Sequence, residues 1–143
     1  MEAWPLAQAQ AHTWDANAVL IGIQPSREMQ SNLGLPPDKL GWLYQFQVLS
    51  TRDELFVHIV DDQVYGTTVA HPMGDSPLFT FQAIDIKQIN LDSSDVVKIY
   101  LESPDGKEYS KNHREIQWDF RLVFLSTSPN PVWTLYDSKY PGV

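Results

Sequence analysis

The stretch WLYQFQVLSTRDELFVHIVDDQVYG, residues 42–66, decides the fold because two alternating runs of side chains flank a polar turn. Aromatic and apolar side chains occupy every second position of residues 42–48 and again of residues 55–59. A period of two is typical of a strand with one buried face. A second polar turn leads into residues 64–70, which can form another strand. The stretch therefore predicts an antiparallel meander.

The same pattern recurs near the other end of the chain, in WDFRLVFLSTSPNPVWTLYDSKYPG, residues 118–142. With an offset of 76 residues and no gap, six of the 25 aligned positions are identical. They are Trp42/Trp118, Leu49/Leu125, Ser50/Ser126, Thr51/Thr127, Asp61/Asp137 and Gly66/Gly142. A weaker match of residues 14–23 with residues 91–100 extends the similarity upstream. The spacing indicates an internal duplication.

The first copy is preceded by an apolar stripe with spacings of three and four, which predicts a helix over residues 3–14. The stripe consists of Ala3, Trp4, Ala7, Ala11 and Trp14. Residues 18–23 form a short apolar run and predict a strand. Residues 24–41 contain three prolines and two glycines, so they predict a loop.

The second copy is predicted to repeat this order. Ser76 and Pro77 suit a helix start, with the helix over residues 80–90. The remaining elements are a strand at 96–101, a turn at 104–106 and a hairpin with strands at 118–125 and 132–136. The predicted fold is α+β, with two repeated helix-plus-antiparallel-meander units packed together. The first unit spans residues 1–73, and a second, shortened unit spans 74–143.

Composition excludes several classes of function. The 143 residues include 18 acids and 10 bases, a net charge of −8, which disfavours nucleic acid and anionic lipid as partners. The absence of cysteine excludes disulfides, thiolate metal sites and cysteine nucleophiles. No apolar run approaches the ~20 residues of a membrane span, so no membrane insertion is expected. The N-terminal stretch has neither the basic start nor the apolar centre of a signal peptide.

No catalytic set is recognisable in the sequence. There is no G-x-S-x-G elbow, no H-x-x-x-H pair and no glycine-rich phosphate loop. Asp61 and Asp62 are interpreted as a solvated turn rather than a calcium site. His58 is predicted to be a surface or edge residue that points away from Val57 and Ile59. The sequence thus predicts a protein that is not an enzyme, with no catalytic residue, metal site or cofactor.

The order of elements resembles the PepSY family. The resemblance lies in AQAQAHTWDANAVLIGI followed by WLYQF, and in LFVHIVDDQVYG with its counterpart WTLYDSKYPG. These match an alanine-rich helix, a first strand and a hairpin that begins at an aromatic residue, and they cover nearly the whole chain as two copies. The family turn is usually Asp-x-x-Thr-Gly, and no threonine precedes Gly66 or Gly142 here. Cystatin-like folds are the nearest structural alternative.

The resemblance implies a non-enzymatic domain of the kind found in secreted or membrane-linked bacterial proteins. Such domains include protease propeptides that inhibit or chaperone. The resemblance therefore favours an extracytoplasmic location, and it brings no catalytic residues to carry over.

Three functions remain open. The first is a binding or inhibitory module that holds a protein or peptide partner at a sheet edge or face. The second is a small-ligand-binding protein or enzyme with a pocket between helix and sheet, which requires polar groups pointing inward. The candidate inward groups, Gln45, Gln47, His58 and Arg121, lie opposite the apolar stripe, which favours the first function. The third is a structural domain that forms homo-oligomers through an exposed edge.

Overall fold

The computed structural model describes residues 3–25, 41–71, 82–113, 115–124, 128–137 and 139. The described helices are α1 (Trp4–Trp14), α2 (Ser93–Glu102) and α3 (Pro104–Asn112), with a 3₁₀ turn at Ile86–Gln88. The described strands are β1 (Val19–Pro25), β2 (Gly41–Gln47), β3 (Glu54–Val60), β4 (Gln63–Ala70), β5 (Trp118–Val123) and β6 (Val132–Asp137). They form one antiparallel sheet in the order β4-β3-β2-β1-β5-β6, so the predicted α+β class is confirmed.

Strands from both predicted units belong to this sheet. The meander β2-β3-β4 is present as predicted, and β1 joins β5 through the pairing of Ile23 with Leu122. The predicted boundary between residues 73 and 74 lies outside the described residues. The division into two units therefore stays a prediction.

Helix α1 follows the predicted stripe. Ala7 and Ala11 are completely buried. Because their side chains are only methyl groups, the helix backbone can lie close to the sheet. The Trp4 ring lies 5.9 Å from that of Phe46 and 6.2 Å from that of Tyr44. The core therefore fills the space between α1 and one face of β1–β3, which we call the first face.

The second half of the chain departs from the prediction at two places. Residues 96–101, predicted as a strand, belong to α2, and the turn predicted at 104–106 is the start of α3. Asp95 Oδ2 accepts the backbone N–H of Asp92 at 3.2 Å at the start of α2. Ser103 Oγ accepts the N–H of Gly106 at 3.1 Å and caps α3, whose first residue is proline. These local caps outweigh the strand preference of the valines in α2.

The helix predicted over residues 80–90 is wrong for the part that the structure describes. Residues 82–85 have no regular structure, and only the 3₁₀ turn follows, capped by Asp85 Oδ1 on the N–H of Lys87 at 3.0 Å. The start predicted at Ser76 and Pro77 lies outside the described residues. Ile84 is buried, and its N–H donates to the carbonyl of Leu20 at 2.7 Å, which lays this segment across the first face.

The duplication also stays a prediction. An offset of 76 residues aligns the β2–β3 hairpin with the β5–β6 hairpin. Trp42 pairs with Ile59, whereas the aligned Trp118 pairs with Asp137, two positions beyond the residue aligned with Ile59. The pairing register therefore differs by two residues, which keeps the same side chains on the same face. Farther upstream, the offset aligns β1 with α2, so a strand stands opposite a helix.

Candidate functional site

A cleft of about 940 Å³ opens between α2 and the strands β5 and β6. Its apolar lining is Ile89, Leu91, Val96, Ile99, Leu122, Pro131, Val132, Trp133 and Leu135. Its other described lining residues are Lys87, Gln88, Asn90, Tyr100, Ser103 and Asn130. Leu122 on the floor is buried in the main core, so the cleft lies on the first face, beside the part that α1 covers.

One wall of the cleft is the segment 87–91, which β6 holds in place. Trp133 Nε1 donates to the carbonyl oxygen of Leu91 at 2.9 Å. The Trp133 ring also lies 6.4 Å from the Trp42 ring, with an edge-to-face tilt of 65°. One side chain therefore links the cleft wall, β6 and the main core.

The opposite wall is α2, which is fixed by its junction with α3. A Cβ at Gly106 would lie 1.9 Å from the Tyr100 carbonyl oxygen, so only glycine permits this approach of the two helices. The Tyr100 ring meets the Trp118 ring edge-on at 5.4 Å. These contacts fix the position of α2 and therefore of this wall of the cleft.

A polar cluster secures α3 to the end of the sheet. Asp137 accepts the Tyr109 hydroxyl at 3.1 Å and the backbone N–H groups of Gln117 at 3.1 Å and Lys139 at 3.0 Å. Burial acts to raise the pKa of Asp137, but these hydrogen bonds, together with His113, hold it below its usual value. The carboxylate is thus charged and fully engaged in joining α3 to β6.

The described lining of the cleft contains few ionisable groups. Among the described lining residues, Lys87 and Tyr100 are the only ones with ionisable side chains. The Ser103 hydroxyl donates to the Tyr100 carbonyl at 2.6 Å while it caps α3, so it serves the helix junction. No nucleophile paired with a base occurs within the described lining.

Apolar side chains on the rim are open to solvent. Ile99 is 54% exposed and Leu91 is 43% exposed, although both line a concave surface. Exposed apolar area gathered in a concave site is typical of a ligand or partner surface.

The four polar candidates from the sequence share the second face of the sheet, opposite α1. Gln45 Nε2 donates to Glu54 at 3.1 Å, and Gln47 Nε2 donates to the same carboxylate at 3.3 Å. Arg121 is exposed on β5. The structure therefore brings Gln45 and Gln47 together around Glu54 and places all four residues away from the cleft.

The prediction that His58 is a surface or edge residue is wrong. His58 does point away from Val57 and Ile59, but its side chain is completely buried. The second face is buried here too, since Leu43 and Val60 are at most 5% exposed. Neither ring nitrogen has a hydrogen-bond partner among the described residues. Burial without a charge partner lowers the pKa of His58.

Comparison with known proteins adds no relative: no family model, curated protein or solved structure matches the chain. The described part of the chain holds no cluster of three or more His, Asp or Glu side chains that could bind a metal ion. Within the same part, no helix combines the length and apolar composition needed to cross a membrane.

Sequence reasoning missed the cleft because its lining comes from segments assigned to the wrong elements. Val96 and Ile99 lie on α2, where a strand was predicted, and Lys87 lies in the segment predicted as a helix. Trp133 was the available signal. At the offset of 76 residues it aligns with the much smaller Val57, and its side chain forms part of the cleft.

Proposed function

We propose that this protein is a ligand-binding protein and that the cleft between α2 and strands β5 and β6 is its site. The observation that carries the proposal is the cleft itself, with a volume of about 940 Å³ and a mainly apolar lining. Sites for small molecules typically measure ~300–1,000 Å³ and combine apolar walls with a few polar groups.

The contacts around the cleft support this function. Trp133 holds one wall through its bond to Leu91, and the junction at Gly106 holds the other. A ligand therefore meets walls that are already in place, which limits the ordering cost of binding. The half-exposed Ile99 would be covered by the ligand, and the burial of its apolar surface would contribute to affinity.

A fluorescence titration with the neutral apolar dye Nile red tests the proposal. We expect saturable fluorescence enhancement with one site per chain. The variant Ile99→Glu should weaken binding at least about tenfold, because it places a charge against the apolar part of the ligand. Ile99 is exposed, so the variant should remain folded, which circular dichroism will verify.

The matched control is Leu6→Glu. Leu6 is a helix residue on α1 that is 39% exposed, and it does not line the cleft. The Leu6→Glu variant carries the same new charge on an exposed helix position, and it should bind the dye as the wild type does. Equal loss in both variants, or enhancement that never saturates, would contradict the proposed function.

A second candidate function, binding of an extended peptide, is favoured by strand β4. This eight-residue strand lies at the edge of the described sheet and contains neither a charged residue nor proline. Edge strands commonly carry such residues because they block pairing with another chain. Tyr65 and Val69 on β4 are 49% and 42% exposed, which suits side-chain contacts with an added strand.

Replacing Thr67 by proline tests this second function, since proline disrupts pairing along the edge. Thr67→Ser is the control. A peptide pulled down by the wild type and the serine variant but not by the proline variant would support strand addition. Mass measured by light scattering over a concentration series separates peptide binding from self-association through the same edge.

A further inference from the structure

We propose that the cleft takes an apolar ligand with a single negative charge, such as a carboxylic acid with a long apolar body, and that Lys87 binds the charged group. This inference rests on the proposed function and specifies its ligand class. The juxtaposition that supports it is one lysine in the lining of an otherwise uncharged, mainly apolar cleft.

The charge distribution is the first argument. The chain carries 18 acidic residues, yet none of the described lining residues is Asp or Glu. Lys87 is the single lining residue in that set with a full charge at neutral pH. A cationic ligand would find no counter-charge in this lining, whereas a carboxylate would find one.

The availability of the Lys87 ammonium is the second argument. The side chain is exposed, and among the described residues the ammonium has no hydrogen-bond or ion-pair partner. The neighbouring Asp85 uses its Oδ1 atom to accept the backbone N–H of Lys87 at 3.0 Å, which caps the 3₁₀ turn. The lysine side chain is therefore available to a ligand.

The grouping of three polar side chains, Lys87 among them, in a mainly apolar lining is the third argument. Lys87, Gln88 and Asn90 come from one short segment, so they lie within about 11 Å along the chain. The side-chain amides of Gln88 and Asn90 can donate hydrogen bonds to an anionic group held near Lys87. Most of the apolar lining comes from other elements, for example Val96 on α2 and Leu135 on β6, while Ile89 and Leu91 lie between and beside the polar residues of this segment. The cleft thus matches a molecule with one charged end and an apolar body.

The net charge limits the ligand to a monoanion. At −8, the protein repels molecules of high negative charge, and one lysine does not offset that repulsion for a polyphosphate or a nucleic acid. A single carboxylate loses little by the overall repulsion, which salt screens beyond about 8–10 Å, and keeps its close contact with the ammonium.

Three probes with the same chain length but different end groups test the inference: decanoate, 1-decanol and decyltrimethylammonium. Each is titrated against Nile red bound to the wild type and to Lys87→Gln at about 0.1 M salt, below its micelle-forming concentration or, for 1-decanol, below its solubility limit. We expect the substitution to weaken decanoate roughly two- to fivefold, leave decanol unchanged and strengthen the cationic probe. The control Lys107→Gln removes the same charge from α3, away from the cleft lining, and should change none of the three.

The outcomes separate the two proposals. If Nile red fails to bind saturably, the proposed function fails. If the dye binds but Lys87→Gln leaves the ratio of decanoate to decanol affinity unchanged, the cleft binds apolar molecules without selecting an anion, and the inference is overturned. An equal effect of Lys107→Gln would assign the change to net charge and would overturn it as well.

Discussion

Two helices cover the same face of one sheet, and they do so in different ways. Helix α1 packs against the central strands so closely that Ala7 and Ala11 are completely buried. Helix α2 stands over the β5 and β6 end, where its described side chains are half-buried or exposed, and the cleft lies beneath it.

The size of the side chains between helix and sheet accounts for the difference. Alanine allows α1 to approach until large residues such as Phe46 fill the remaining space. Helix α2 instead presents Val96 and Ile99, and its position is set by the junction with α3 at Gly106. A helix that is held at its end need not fill the space under its middle. The comparison separates a closely packed region under α1 from a region under α2 that leaves a cleft open.

The largest predicted difference between the two regions comes from truncation. Phe46 is 1% exposed, so Phe46→Ala should lower the free energy of unfolding by about 3–5 kcal/mol. Leu135 is half-buried in the cleft, and Leu135→Ala should cost only about 1 kcal/mol. Urea unfolding followed by tryptophan fluorescence measures both. Similar losses would mean that the cleft is as well packed as the core.

Enlarging a side chain gives the next largest contrast. Ala7→Leu should destabilise the protein by about 1–3 kcal/mol because no space remains under α1. Val96→Leu adds one methylene at the cleft and should change stability by less than about 0.5 kcal/mol. Thermal unfolding of the two variants beside the wild type provides the measurement. A destabilisation by Val96→Leu as large as that by Ala7→Leu would remove the distinction between the regions.

The smallest effect concerns the other side of the packed region, where His58 is buried on β3. Its pKa is lowered by burial, so the unfolded chain binds a proton more readily than the folded one. Above the unfolded pKa of about 6.5, His58 is neutral in both states and the free energy of unfolding does not depend on its protonation. Below that pH the unfolded chain takes up the proton first, so the free energy of unfolding falls. His58→Leu should remove this loss and be neutral or stabilising by about 1 kcal/mol at pH ~8.

Urea unfolding at a series of pH values tests the histidine prediction. The exposed-residue control His12→Gln should keep the wild-type dependence on pH. If His58→Leu also keeps that dependence, then the buried ring is not its source, and the second face is more accessible than its burial indicates.

The sequence predicts the first half of the fold well because its signals are local and agree. The alanine stripe gives α1, and the alternation over 42–70 gives the meander. The second half fails where local signals compete. Val96 and Val97 favour a strand by propensity, yet the caps at Asp95 and Ser103 start two helices.

The site was harder to predict than the fold because it depends on the position of α2. The sequence correctly places Gln45, Gln47, His58 and Arg121 opposite the apolar stripe. It could not show that both faces are buried at His58, since burial of the second face depends on contacts between distant segments. It also could not place Lys87 and Trp133 in one cleft, because they are 46 positions apart along the chain.

The most direct test of the central claim is a map of amide chemical shifts during titration of the ¹⁵N-labelled protein with decanoate. The account predicts saturable changes in three segments, 87–91, 96–103 and 130–135, with little change in α1, β3 and β4. Changes concentrated along β4 would assign binding to the sheet edge. Either that result or the absence of saturable changes in the three segments would contradict a ligand site in the cleft.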